Sequence, residues 1–327
     1  MSDQSAVRAL EAEFAEVTRR ARELAGQLSP ITPAMVAAAP TWRAAYSDRT
    51  CALMASLCGV AYDNFEDQTG AGLDLMKVRL NSGAFKLVGV YDTPIGTQAY
   101  LATSDQMTVL AFRGTQDQRD WSVNLTARLT PLSTMVGAVR VHQGFLEAFQ
   151  KVEAEIRADL DDPRKTPVDK GLYITGHSLG GALAQIASAA FERDTLAACY
   201  TFGSPRVGEK RFDAEVKCPH YRLVNSRDVV PSVPPPWMGF SHGGDVRVLS
   251  RSGELRRHER TPISLVLRFA WFGVWWFFSR KFPLIDDHMI GLYRAKLIAA
   301  ANLRAPGWQA GGVPPQPPTQ PLPPATA

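Results

Sequence analysis

Ser178 stands between two glycines in the run Gly176, His177, Ser178, Leu179, Gly180. A β-branched and aromatic stretch, Leu172 to Thr175, precedes it, and a small-residue stretch of helical character over 181–191 follows. Gly-x-Ser-x-Gly between a strand and a helix is a nucleophile elbow: the turn is so tight that side chains at the flanking positions collide, and the strain lifts the serine hydroxyl above the sheet. The bare pentapeptide arises by chance in about one chain in ten of this length, so the strand and helix around it carry the inference. A serine hydroxyl is a weak nucleophile and needs a base, an orienting acid and donors for a developing oxyanion. On such an elbow the acid and then the base follow the serine along the chain.

Asp228 is the leading acid. The run 221–224 reads as a strand and Asn225, Ser226 and Arg227 turn the chain, which places the carboxylate at a strand's C-terminal end, where active residues of open α/β sheets collect. Asp213, within a helical stretch, and Asp245, just before a strand, are weaker alternatives. His288 is the leading base, since it follows Asp287 at the start of a helical stretch over 289–300. His220 precedes the acid, His242 sits in a Gly-rich loop and His258 in an arginine-rich stretch, while His177 points away from its neighbour's proton. The amide of Leu179 supplies one oxyanion donor. Arg113, Gly114 and Thr115 follow the strand over 107–112, and Thr115 offers a second amide together with its hydroxyl.

The elements that must hold these groups follow from periodicity. Helical patterns cover 48–62 and 145–160, with further helices near 120 and over 209–216; strands cover 87–91, 98–103, 107–112, 198–202, 221–224 and 246–249. Strands alternating with helices predict a mostly parallel central sheet covered by helices on both faces. Ahead of it, Val7, Leu10, Phe14, Val17, Ala21, Leu24 and Leu28 form the apolar stripe of an N-terminal amphipathic helix, which docks on its own domain or pairs in a coiled coil. The organisation expected is therefore an N-terminal helix and linker over 1–40, a catalytic domain over 41–305 with an apolar insertion over 261–283, and a Pro-rich disordered tail over 306–327.

Within the insertion the apolar run over 264–278 holds Trp271, Trp275 and Trp276 and is flanked by Arg260, Arg280 and Lys281. Residues 264–278 are too few for a bilayer span, which takes about 20 apolar residues, and Arg268 interrupts them. Tryptophans with basic flanks suit the headgroup boundary, so these three side chains are expected to touch a membrane surface; burial in the core is the rival reading. The net charge of +4 gives no case for nucleic acid as a partner. Four cysteines show no metal or disulfide spacing, and neither metal nor cofactor is expected. No apolar leader is visible over 1–20, so the chain is expected in the cytoplasm, peripherally associated with membrane, with export by a leaderless route left open.

Taken together, 112–115 with Asp120 and Trp121, 142–145, 174–181, 201–208, 222–231 and 287–293 resemble the class 3 (fungal-type) lipases of the α/β-hydrolase superfamily, over about 45–303. The resemblance implies an α/β-hydrolase fold and a triad of Ser178, Asp228 and His288, with Thr115 and Leu179 at the oxyanion hole. It further implies hydrolysis of a lipid ester substrate through an acyl-enzyme. A short-chain esterase or thioesterase would use the same residues, and a catalytically silent membrane-binding scaffold is the alternative from another class.

Overall fold

Apolar runs of high strand propensity, buried on both sides, need helices over both faces of the sheet they form. The computed structural model describes residues 31–43, 45–65, 71–93, 97–114, 128–134, 137–191, 193–250, 253–257 and 286–310. Helices α1 (Pro33–Ala37), α2 (Asp48–Phe65) and α3 (Ala71–Ser82) come first, then strands β1 (Lys86–Asp92), β2 (Gln98–Thr103) and β3 (Met107–Phe112). A hairpin of β4 (Leu129–Thr134) and β5 (Gly137–His142) stands apart from the main sheet and leads into α4 (Gln143–Asp161). There follow β6 (Gly171–His177), α5 (Leu179–Ala190), β7 (Leu196–Phe202), β8 (His220–Asn225), β9 (Asp245–Leu249), β10 (Leu255–Arg257) and α6 (Ile290–Arg304).

The main sheet runs β1-β2-β3-β6-β7-β8-β9-β10. Its five inner strands from β3 to β9 pair in parallel, while β1, β2 and β10 extend the edges antiparallel. This is the α/β-hydrolase fold, with a mostly parallel sheet between helical layers. Side chains alternate across it as the pleat requires. Val109, Ala111, Tyr173 and Tyr200 pack with α2 and α6 on one face; Leu110, Phe112, Leu172, Ile174 and Cys199 pack with α4 and α5 on the other. Helix α4 shows the matching stripe, Phe145, Phe149, Val152, Ile156 and Leu160, at spacings of three and four. By contrast, Cys51 to Ala55, Leu57 and Cys58 of α2 are all fully buried, as befits a helix enclosed on every side.

The expected linker over 31–40 is instead part of the packed unit. Ile31, Met35, Val36 and Ala39 are buried in the same core as α2, because their spacing of four, one and three keeps them on one side of the short helix α1. Across the other proposed boundary, Trp308 is 2% exposed in that core, and the Thr32 hydroxyl donates to the Gln309 carbonyl at 2.6 Å. The segment over 209–216 forms a 3-10 helix, Lys210–Glu215. Helix α3 and the β4–β5 hairpin were not anticipated. The N-terminal helix, the helix near 120, the Pro-rich tail beyond 310 and the insertion with Trp271, Trp275 and Trp276 lie outside the described residues. Among the described residues no helix is long and apolar enough to cross a membrane.

Candidate active site

Ser178 ends β6 and opens α5 with φ 58° and ψ −128°, a left-handed backbone that costs a non-glycine residue about 1–3 kcal/mol. Surrounding bonds impose it. The Ser178 N–H donates to the Phe202 carbonyl at 3.0 Å, and the Ser178 carbonyl accepts from Gly181 N–H at 2.9 Å. A Cβ at Gly176 would lie 2.1 Å from the Gly180 carbonyl oxygen, so the elbow closes only because that side chain is missing. Leu179 is the first residue of α5, and the first amides of a helix have no partner within it. Its N–H is thus available as an oxyanion donor.

The candidate acid, Asp228, sits just beyond β8. Asp228 N–H closes a turn onto the Asn225 carbonyl at 3.0 Å, and the carboxylate is 1% exposed. Three donors converge on it: His288 Nδ1 at 2.8 Å and the Tyr293 hydroxyl at 2.7 Å on Oδ2, and Val230 N–H at 2.9 Å on Oδ1. Donation from Nδ1 fixes the imidazole tautomer, so His288 Nε2 carries the lone pair of a base. That atom is buried and has no hydrogen-bond partner. The bond from Ser178 Oγ is therefore not closed here, as is common for catalytic pairs before substrate tightens them.

The three groups are nevertheless built onto one point of the sheet edge. Gly203, next to the Phe202 carbonyl that holds Ser178, has φ 58°, and a Cβ there would fall 2.6 Å from Asp228 Oδ2 and 2.9 Å from the His288 ring. The Asn225 side-chain amide donates to the Asp287 carbonyl at 2.7 Å and so ties the base's loop to the end of β8. Gly114, the last described residue after β3, also borders the elbow: a Cβ on it would be 2.9 Å from the Ser178 Cβ. Thr115 itself lies outside the described residues. The weaker sequence candidates are occupied elsewhere. Asp213 accepts from Gly244 N–H, Asp245 pairs with Arg247, His220 meets the Thr201 hydroxyl and His242 the Pro231 carbonyl; His258 is outside the described residues.

Tyr293 was not found from the sequence. It lies on α6 five residues after His288, and its hydroxyl donates to Asp228 Oδ2 while accepting from Asn225 N–H at 2.8 Å. Only the three-dimensional return of α6 to β8 reveals it. A hydrogen bond to a charged group is worth roughly 1.5–3 kcal/mol. Tyr293→Phe is accordingly expected to lower ester turnover about tenfold or more through a less firmly held Asp228. Steady-state kinetics check this, and a kcat within twofold of the parent would reject the role.

Comparison with known proteins bears on this geometry. Residues 109–238 match the family model described as lipase (class 3). The chain is 34% identical over 166 residues to a lipase of Rhizomucor miehei, which covers 48% of this chain and 45% of that protein. It is 35% identical over 159 residues to the secreted mono- and diacylglycerol lipase 1 of Fusarium solani, covering 47% of each. These matches span about half the length of the curated relatives. Among solved structures, the triacylglyceride lipase of Rhizomucor miehei superposes with a TM-score of 0.58 at 26% identity, covering 76% of this chain and 98% of that one. The cytoplasmic placement expected from the sequence is corrected by the Fusarium relative, which is a secreted enzyme by name. Residue composition over 1–20 was too narrow a basis for assigning a compartment.

Proposed function

Because the chain belongs to the class 3 lipase family of the α/β-hydrolase superfamily, we propose that it hydrolyses acyl esters of glycerolipids through an acyl-enzyme on Ser178. Ser178 Oγ attacks the ester carbonyl as its proton passes to His288 Nε2. The oxyanion is held by the Leu179 amide and by the amide and hydroxyl of Thr115, where losing one donor costs on the order of 10²–10³ in rate. His288 then gives the proton to the departing alcohol, and water repeats the sequence to release the fatty acid. Asp228 keeps the imidazole oriented and stabilises its charged form without taking the proton itself.

One observation carries the proposal: the His288–Asp228 bond of 2.8 Å leaves a buried, unpartnered Nε2 at the edge where the elbow presents its serine. The substrate class is suggested by the acylglycerol activities in the relatives' names. Delivery at a membrane surface, through Trp271, Trp275 and Trp276, is part of the same reading and rests on their composition alone.

A fluorophosphonate probe, followed by peptide mass spectrometry, tests the chemistry: the adduct is expected on Ser178, and an unmodified Ser178 overturns the proposal. p-Nitrophenyl esters of rising chain length, with and without anionic vesicles, test the substrate. Long-chain preference that grows with vesicles supports a lipase, whereas short-chain turnover indifferent to them would replace that reading with an esterase.

A further inference from the structure

A continuous hydrogen-bond chain runs beneath the elbow from the loop after β3 to the backbone of His288. Gly114 N–H donates to the Tyr62 hydroxyl oxygen at 3.1 Å, Tyr62 Oη lies 2.6 Å from His177 Nδ1, and His177 Nε2 lies 2.5 Å from the His288 carbonyl oxygen. With His177 neutral, only one arrangement of protons satisfies every link. A carbonyl can only accept, so His177 Nε2 must carry its hydrogen; in the neutral ring Nδ1 then holds a lone pair, and the Tyr62 hydroxyl donates to it. The phenol's own lone pair is left to take the Gly114 amide. Burial, reinforced by the neighbouring His288, holds the His177 pKa well below the usual histidine range and keeps the ring neutral, as this arrangement needs.

The two residues that make this chain are firmly seated. His177 is 3% exposed, with its ring centroid 4.6 Å from that of His288 and 6.2 Å from that of Tyr293. The Arg113 guanidinium lies over the Tyr62 ring at 5.1 Å. From these contacts we infer that Tyr62 and His177 are positioning residues, joining Gly114, the residue before Thr115 in the sequence, to the His288 backbone so that the oxyanion donor and the base keep a common register about Ser178. This rests on the reading of Ser178 as nucleophile and of Thr115 as oxyanion donor. Neither residue touches the reacting atoms. Tyr62 fixes where the loop amide sits, and His177 fixes the height of the imidazole-bearing backbone.

The arrangement separates effects on rate from effects on binding. Removing the Tyr62 hydroxyl shifts a donor that matters in the transition state, so Tyr62→Phe is expected to lower kcat about tenfold at unchanged KM. In a Thr115→Ala background, which removes the hydroxyl donor and keeps the amide, the same substitution should cost less than it does in the parent. His177→Gln, whose amide still offers an N–H toward the His288 carbonyl, should retain at least fivefold more activity than the apolar His177→Leu of similar volume.

All variants are measured in the full chain with p-nitrophenyl esters, alongside fluorophosphonate labelling of the parent. A parent that neither turns over ester nor takes the probe would sink the hydrolase reading and this inference with it. An active parent with Tyr62→Phe within twofold, or with equal losses in both backgrounds, would sink the positioning role alone. Should Tyr62→Phe not fold, equal activities of His177→Gln and His177→Leu would overturn the role in the same way.

Discussion

Ser178→Ala is expected to lower kcat for ester hydrolysis by about 10⁶, and Asp228→Asn by about 10⁴, with little change in KM for either. The difference between the two follows from the site. Without Oγ there is no atom to form the acyl-enzyme, and whatever rate remains belongs to water acting in a site that still holds the oxyanion donors. Without a charged Asp228, the serine survives but its base is disturbed. Oδ2 presently accepts from both His288 Nδ1 and Tyr293, and an amide nitrogen in that place faces the same two donors with no lone pair to offer them. The imidazole is then driven toward the tautomer with its hydrogen on Nε2, which cannot take the serine's proton. Active-site titration of purified variants and initial rates on a p-nitrophenyl ester give both numbers. If Asp228→Asn kept more than a tenth of the parent rate, the carboxylate would be a structural anchor for β8 and α6, and the acid would have to be sought elsewhere.

The three residues that the candidate site is built on stand out in the sequence because each is announced locally. Ser178 is framed by glycines that only a strand-to-helix elbow requires, Asp228 follows a strand and a turn, and His288 stands at a helix start. The groups that hold them do not. Tyr62 lies in the last turn of a helix whose residues 51–58 read as pure core, and a partner of its hydroxyl is 115 positions away. His177 could be excluded as a base from its place in the elbow, yet nothing near it in sequence says that its ring bridges Tyr62 and His288. Helix α3 escaped notice because only Gly72, Met76 and Leu80 of its twelve residues are buried, too thin a stripe to stand out. The β4–β5 hairpin contains Pro131 and pairs with no strand of the main sheet. Composition misled at 31–40 for a related reason: alanine and proline there resemble a linker, whereas four well-spaced apolar side chains decide the packing.

Acid should unfold this protein well before its carboxylates account for the loss. His142, His177 and His220 are buried and neutral; burial holds the first at about 4 and the last at about 3, and carries His177 well below its ordinary range. In the unfolded chain each titrates near 6.5. Below that value the unfolded state binds protons that the folded state refuses, so stability is complete above about 6.5 and falls as pH drops toward the folded values. Each such histidine costs roughly 1 kcal/mol between about pH 6 and 5, or about 3–4 kcal/mol for the three together, a large part of a marginal stability. His142 is the most direct probe, since both its ring nitrogens lack partners and it stacks on Phe145 at 4.1 Å. Thermal melts from about pH 7 down to 4.5 should show a steep decline in the parent and a slope about one-third smaller in His142→Phe. A melting temperature that stays level across that window would mean the folded state admits these protons, and the dry, neutral setting assigned to the three rings would be wrong.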